Sequence, residues 1–260
     1  MDERSPLLRT EGLSKHFGGL AAVRDVALAC RVGELHAVIG PNGAGKTTLI
    51  NLLSGDLEPT SGRVEVAGKD VTGLAAHRIA RLGVGRSYQK TNIFLPFTGF
   101  ENCRLAAQSR LQPSMRFLRP AHAHAPTRAA AERALAMAGL EQRAGMVAAA
   151  LSHGEQRQLE IAMTLATAPR LLLLDEPLAG MGGEESARIV ELLKRLRAEH
   201  AILLVEHDMD AVFAVADTLT VMVDGAVLAS GAPEAIRANR AVQEAYLGTE
   251  EPDQAVTWRA

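Results

Sequence analysis

Gly40-Pro41-Asn42-Gly43-Ala44-Gly45-Lys46-Thr47-Thr48 is the stretch of this sequence that decides the fold. It fits the phosphate-binding pattern G-x-x-x-x-G-K-[ST], with the apolar run Leu35–Ile39 before it as a predicted strand and a predicted helix after it. The glycines let the backbone wrap round an anion, so that successive N–H groups and the positive end of the helix dipole face phosphates. We expect Lys46 to reach the β- and γ-phosphates and the Thr47 hydroxyl to bind Mg²⁺. A glycine-rich turn without a ligand would not need Lys-Thr at its end.

Length and composition describe a globular chain with a full core. The 260 residues are 47% hydrophobic and 22% charged, and the formal net charge is −2, so no excess of basic residues is available to coat nucleic acid. The two cysteines, Cys30 and Cys103, lie far apart and indicate a reducing compartment and no zinc site. No signal peptide is expected at the N-terminus, and no apolar run reaches the roughly 18 residues of a membrane span. We therefore expect a chain that is soluble by itself and meets a membrane only through partners.

The first part of the chain predicts antiparallel strands. Alternating residues predict strands over 7–12, 21–29 and 62–68, and Gly18-Gly19 forms a turn between the first two. Phe17 lies beside this turn, and it is either an adenine-stacking face or part of a buried hairpin core. A further strand is predicted over 84–89, ending in Gln89, after a short helix over 75–82.

The middle of the chain predicts a helical insertion between two strands. Residues 100–145 are rich in Ala, Arg, Leu and Gln and predict helices over 101–110 and 127–138. The connector at 113–126 contains His122 and His124, but without a thiol or carboxylate at suitable spacing a solvated loop is favoured over a metal site.

A second candidate site begins at Ser152. Ser152 and Glu155 form a capping box that predicts a helix running to residue 168, before Pro169. These residues could therefore serve only to start a helix. The capping box does not require Gly154, however. A glycine in the first turn permits another molecule to approach closely this helix end, which can bind an anion.

Acidic residues and a histidine follow the next predicted strands. The apolar run at 170–174 predicts a fully buried parallel strand with Asp175 and Glu176 at its carboxyl end, the edge where ligands bind in open α/β sheets. We expect Asp175 to face Mg²⁺ and Glu176 to orient an attacking water. An amphipathic helix over 184–199 and a strand over 201–205 lead to His207, which is either structural or a donor to a γ-phosphate oxygen. A hairpin over 218–230 and a helix over 233–238 follow.

The order of these motifs resembles that of the ATP-binding cassette (ABC) family over residues 7–248. By position, the resemblance implies nucleotide-binding roles for Phe17, Gly40, Pro41, Asn42, Gly43, Ala44, Gly45, Lys46, Thr47, Thr48, Gln89, Ser152 and Gly154. It implies catalytic roles for Lys46, for Glu176 as general base and for the switch histidine His207. It also implies Mg²⁺ binding, through water, by Thr47, Gln89 and Asp175.

The resemblance further implies a fold and a set of partners. We expect an α/β P-loop NTPase (RecA-like) with a parallel core sheet, an antiparallel β subdomain and a helical subdomain at about 96–168, followed by a tail at 249–260. The implied cofactors are ATP and Mg²⁺. The implied partners are a second ABC ATPase subunit, identical or paralogous, transmembrane permease subunits and, indirectly, a periplasmic solute-binding protein, but no nucleic acid. The implied location is the cytoplasmic side of the inner (plasma) membrane.

Within the family, several stretches are similar to the ATPase subunits of branched-chain amino acid importers, and others to the related urea and short-chain amide importers. Three residues depart from the family pattern: His153 and Glu155 replace a glycine and a glutamine of the usual signature, and Gly182 replaces the usual D-loop aspartate. A paralogous partner cassette would account for non-equivalent sites.

Two other classes of function agree less well with this sequence than transport does. A soluble ABC protein of translation or DNA repair usually carries two cassettes or a long coiled coil, and this sequence has neither. A P-loop kinase or GTPase would leave residues 152–155 and His207 without a purpose.

Overall fold

The computed structural model describes residues 5–88, 92–111 and 124–247. The strands are β1 (Leu8–Phe17), β2 (Leu20–Cys30), β3 (Leu35–Ile39), β4 (Ser61–Val66), β5 (Lys69–Asp70), β6 (Val84–Arg86), β7 (Leu171–Asp175), β8 (Ala201–Val205), β9 (Thr218–Val223) and β10 (Ala226–Gly231). The helices are α1 (Lys46–Ser54), α2 (Ala76–Arg81), α3 (Gly99–Leu111), α4 (Ala125–Ala138), α5 (His153–Ala166), α6 (Gly183–Arg197), α7 (Met209–Val215), α8 (Pro233–Arg237) and α9 (Arg240–Leu247). Gln89, His122 and the predicted tail at 249–260 lie outside the described residues.

A six-stranded sheet with the order β10-β9-β3-β8-β7-β6 forms the centre of the fold. Neighbouring strands from β9 to β6 pair in parallel, and β10 adds an antiparallel edge. The continuous apolar run of β7 has its physical reason here, because Leu171 and Leu173 pack into one core cluster while Leu172 and Leu174 pack into another on the opposite face. The predicted parallel core sheet is confirmed.

A four-stranded antiparallel sheet with the order β2-β1-β4-β5 forms a second layer. Its buried residues share a core cluster with α1 and with one face of the central sheet. The predicted antiparallel sheet is confirmed, although β1 continues to Phe17, beyond the predicted end at residue 12. Gly12 has φ 59° and lies where the pairing of β1 with its neighbours shifts register. The strand therefore continues through an irregularity at the position where the sequence pattern predicts its end.

Helices α3, α4 and α5 pack against one another between β6 and β7 in the chain. Small buried side chains line their contacts, namely Ala107, Ala130, Ala131, Ala134, Ala138 and Ala162. The alanine-rich composition of this segment therefore allows close packing of helices. The predicted helices in this segment are confirmed, with bounds that differ by a few residues.

Three features of the helices differ from the sequence-based expectation. α5 ends at Ala166, before the predicted residue 168, because the residue before Pro169 is disfavoured in the helical region. Ala168 itself has a left-handed φ of 50°. α7 was not predicted, although the Asp208 carboxylate accepts the Ala211 N–H at 3.0 Å as a side-chain cap. α9 was not predicted either.

No helix within residues 5–88, 92–111 and 124–247 has both the length and the hydropathy that crossing a bilayer requires. Cys30 and Cys103 are both free and fully buried.

Candidate nucleotide-binding site

The candidate site lies at the carboxyl edge of the central sheet. β8 lies between β3 and β7, and all three strands run in parallel. The residues that follow β3, β7 and β8 therefore emerge side by side. This topology brings together the phosphate-binding loop, Asp175 with Glu176, and His207.

The glycines of the phosphate-binding loop are required by neighbouring backbone as well as by any ligand. A Cβ on Gly40 would lie 2.1 Å from the Met222 carbonyl oxygen, and one on Gly45 would lie 2.2 Å from the Ala22 carbonyl oxygen. Gly45 also has φ 95°, a region that glycine adopts at little cost. Only Gly43 of the three faces open space. All three glycines are expected to wrap an anion, and close packing against neighbouring backbone is a second reason for Gly40 and Gly45.

Lys46 is the buried cation of this loop. It begins α1, is 7% exposed, and its ammonium group donates to the carbonyl oxygens of Gly40 at 2.6 Å and Pro41 at 3.0 Å. Burial lowers the pKa of Lys46, and the negative charges of Glu176 and Asp175 act in the opposite direction. The ammonium group is thus held at the loop by two carbonyls that phosphate oxygens can replace.

Asp175 ends β7 as a buried carboxylate. The residue is 1% exposed, and neither side-chain oxygen accepts a hydrogen bond within the described part of the chain. Burial raises the pKa of Asp175, while the Arg86 guanidinium, 3.9 Å away, lowers it. Oxygen atoms of this kind are the ligands that Mg²⁺ or its bound water prefers. Together with the exposed Thr47 at the start of α1, Asp175 fits a magnesium site.

Arg86, which was not among the predicted site residues, lies 3.9 Å from Asp175. Its guanidinium donates at 2.6 Å to Asn51 Oδ1, Ser54 Oγ and Asp56 Oδ2, three groups at the end of α1. It also lies 4.7 Å from the centre of the Tyr88 ring. Because its hydrogen-bond partners are 30 to 35 residues away in the chain, no local sequence signal marks this role.

Glu176 and His207 lie in adjacent loops. Glu176 has a left-handed φ of 49°, uncommon for a residue with a side chain, and its N–H donates to the Val205 carbonyl at 2.9 Å. The side chain of His207 is 62% exposed, and its backbone N–H donates to the carboxylate of Glu206 at 3.1 Å.

The helix start at Ser152 makes its contacts within the chain. The Ser152 hydroxyl and the Gly154 N–H both donate to one carboxylate oxygen of Glu185, on α6, at 3.3 and 3.2 Å. Within the described residues none of the hydrogen bonds of Ser152 or Gly154 goes to the phosphate-binding loop. A carboxylate of the same chain thus occupies the donors that the sequence analysis assigned to a phosphate.

The capping box predicted at this helix start is confirmed. Glu155 accepts the Ser152 N–H at 2.9 Å, and Ser152 accepts the Glu155 N–H at 3.2 Å. The other oxygen of Glu155 pairs with Arg143 at 3.0 Å. The two carboxylate oxygens of Glu155, the unusual acid of the signature, are therefore occupied by the start of its own helix and by Arg143.

Phe17 lies at the end of β1 and is 50% exposed, so the buried-hairpin alternative is wrong. Lys15 lies 5.3 Å from its ring centre. The ring face is available to a planar ligand.

A cleft of about 460 Å³ opens beside the site, between α2, β6, α3 and α5. Its lining includes His77, Tyr88, Ala106, Arg110, Met163 and Thr167.

The fold and the edge of its sheet define a P-loop nucleoside triphosphatase. Comparison with known proteins narrows this class. A family model described as ABC transporter matches residues 23–179, and one described as branched-chain amino acid ATP-binding cassette transporter matches residues 226–252. The chain therefore belongs to the ABC transporter family, with the fold of its ATPase subunits.

Relatives match over nearly the whole chain. The high-affinity branched-chain amino acid transport ATP-binding proteins BraF of Pseudomonas aeruginosa and LivG of Escherichia coli K12 are each 41% identical, over 94% of this chain and 98% of the relative. The lipopolysaccharide export system ATP-binding protein LptB of Acidithiobacillus ferridurans is 32% identical over the same shares. Two solved structures of an ATP-binding cassette from an ABC transporter, one nucleotide-free and one in an ADP conformation, are both 28% identical. They superpose with TM-scores of 0.83 and 0.84 and cover 93% and 94% of this chain and 98% and 99% of their own.

Proposed function

We propose that this chain is the ATP-hydrolysing subunit of an importer and powers uptake of branched-chain amino acids through partner permeases. The observation that carries the proposal is the 41% identity to BraF and LivG over 94% of the chain, joined by the C-terminal match at residues 226–252. The export protein LptB is less similar, at 32% identity.

Different residues of the site bind the phosphates, the adenine and Mg²⁺. The N–H groups of the phosphate-binding loop and the Lys46 ammonium bind the β- and γ-phosphates, and Phe17 stacks on the adenine. Thr47, Gln89 and Asp175 hold Mg²⁺, in part through water; when bound, Mg²⁺ neutralises charge that develops on the phosphate oxygens.

Glu176 accepts the proton of the attacking water, and His207 donates a hydrogen bond to a γ-phosphate oxygen. The loop that carries Glu176 lies beside β8 because the Glu176 N–H donates to the Val205 carbonyl. Both side chains thus start from the edge of the sheet where Lys46 lies.

Each chain supplies half of two shared sites. Ser152 and Gly154 bind the γ-phosphate held by an opposing cassette, after Glu185 has left them. Glu155 does not repel that phosphate strongly, because its charge is paired with Arg143. Gly182 offers no side chain for hydrogen bonds across the pair, which favours a paralogous cassette over a second copy as the partner.

The cleft beside the site is the proposed docking place of a permease segment. Tyr88, on its wall, is 41% exposed. Phe94 and Phe97, which follow Gln89 in the chain, are 50% and 40% exposed, and their ring centres lie 5.4 Å apart. Apolar side chains exposed close together are typical of a surface that a partner covers. The permeases hold the chain at the cytoplasmic side of the membrane, and they alone connect it to a periplasmic solute-binding protein.

A reconstitution experiment tests this function. The chain is purified from detergent-solubilised membranes with the permeases that accompany it, and the complex is placed in vesicles with ATP on the cassette side. We expect ATP-dependent uptake of labelled leucine that excess valine competes and excess urea does not, and no uptake with Lys46→Ala. Recovery of ribosomes or DNA in place of permeases, or uptake that urea or a short amide competes, would contradict the proposal.

A further inference from the structure

Glu206 is a buried acid to which the mechanism above gives no role. It follows β8 directly and is fully buried, with 0% exposure. One carboxylate oxygen accepts the N–H of Leu178 at 2.7 Å, and the other accepts the N–H of His207 at 3.1 Å. The side chain therefore bridges the loop that follows β7 and the loop that follows β8.

The bridge joins two loops that both carry proposed catalytic groups. Leu178 is two residues after Glu176, and Glu176 itself is tied to the end of β8 by its N–H bond to Val205. The Glu176 carbonyl in turn accepts the Ala179 N–H at 3.2 Å. The turn that presents Glu176 is thus fastened at two points, and one of them is the carboxylate of Glu206.

The carboxylate of Glu206 is the acceptor that the buried N–H of Leu178 requires. Leu178 is 6% exposed and packs in the core, so its N–H has no access to bulk water and needs an internal acceptor. Burial raises the pKa of Glu206, and the N–H groups of Leu178, His207 and Asp208 oppose this. The N–H groups of the two loops thus hydrogen-bond the buried carboxylate, and the carboxylate supplies the acceptor that these N–H groups need.

We propose that Glu206 is a positioning residue for ATP hydrolysis, which sets the spacing between the Glu176 turn and His207 across the γ-phosphate. The inference rests on the proposed function. Glu206 is fully buried and acts through the backbone N–H groups of the two loops, whose hydrogen bonds it accepts. Misplacement of a catalytic group by about 1 Å can lower a rate by roughly 100-fold, so a loosened bridge should affect the chemical step.

The test replaces Glu206 by Gln and by Asp in the full-length chain. Gln keeps the volume and one acceptor oxygen, but its NH₂ group would face a backbone N–H where an oxygen stood. Asp keeps the charge but is one methylene shorter, so it cannot reach both loops as Glu206 does. We expect kcat to fall roughly 10- to 100-fold in both variants, because each of them loses one of the two acceptor contacts that join the loops. KM for ATP should stay within about twofold, because Lys46 and the phosphate-binding loop are unchanged.

Asp217→Asn is the matched control. The Asp217 carboxylate accepts the N–H of Leu35 at 2.9 Å, at the opposite end of β3 from the site. The other oxygen of Asp217 pairs with Arg197 at 2.7 Å. The substitution therefore weakens both carboxylate contacts of Asp217 without touching either loop, and its kcat should equal that of wild type. A cooperative thermal unfolding transition shows that a variant is folded. If Glu206→Gln does not fold, the kcat of Glu206→Asp tests the positioning role by itself.

Folded Glu206 variants with wild-type kcat, or variants whose loss of activity lies in KM, would overturn the positioning role alone. A fall in kcat as large in Asp217→Asn as in Glu206→Gln would also overturn it. Absence of Lys46-dependent ATP hydrolysis in the wild-type chain would overturn the proposed function, and this role with it.

Discussion

Glu176→Gln separates nucleotide binding from chemistry. Glutamine has nearly the shape of glutamate and can take the same left-handed backbone, and the N–H bond from residue 176 to Val205 does not involve the side chain. The fold should therefore survive. Glutamine cannot accept a proton, and loss of a general base costs roughly 100- to 10,000-fold in rate, which is about 2.7 to 5.4 kcal/mol of barrier at 1.36 kcal/mol per factor of ten.

Binding of ATP should be retained in this variant. Glu176 is one of two carboxylates whose charge acts on Lys46, and removing it leaves the hydrogen bonds of the Lys46 ammonium group in place. With hydrolysis slowed, ATP persists between paired cassettes. The variant should pair in ATP and not in ADP.

The assay measures phosphate release, the dissociation constant for ATP and the mass by light scattering. Mass is read in ATP and in ADP, with the chain alone and with its paralogous cassette. Glu184→Gln is the control, since that side chain is 94% exposed and the same charge is removed from the surface of α6. Wild-type hydrolysis by Glu176→Gln, or an ATP-loaded variant that stays monomeric in both mixtures, would refute the general-base assignment or the shared-site mechanism, respectively.

Three further substitutions test other parts of the site. Lys46→Ala should weaken ATP binding and abolish hydrolysis in a folded chain, and an unchanged dissociation constant by titration would show that the loop is only structural. Asp175→Asn should lose Mg²⁺-dependent turnover, because Asp175 is a buried carboxylate whose oxygens accept no hydrogen bond from the described residues, and Mg²⁺-stimulated hydrolysis in the variant would contradict this. Glu185→Gln should lower the ATP concentration needed for cassette pairing, by roughly fivefold if one charged hydrogen bond to Ser152 and Gly154 is weakened. A light-scattering midpoint equal to that of wild type would argue against competition by Glu185.

The phosphate-binding loop and the acid after β7 were predictable because their chemistry fixes residue types at fixed offsets. Phosphate binding needs glycines and Lys46 within nine residues, and a strand buried on both faces needs an apolar run like that at 171–174. The capping box at Ser152 is equally local, because both partners lie within one helical turn.

The remaining contacts could not be predicted because they join distant parts of the chain. Glu206 and Leu178 are 28 residues apart, and Arg86 and Asn51 are 35 apart. Only the strand order brings these residues together. The packing reason for Gly40 is of the same kind, because it depends on β9 passing beside the loop.

The two cysteines make this chain convenient for spectroscopic labelling. Burial raises the pKa of both Cys30 and Cys103 to about 12, and neither thiol is exposed, so maleimide reagents at neutral pH find almost no thiolate in the folded protein. A cysteine introduced at an exposed position such as Glu184 would then be the principal reactive thiol. Fluorophores attached there could report the approach of two cassettes by energy transfer, without first removing the native cysteines from the core.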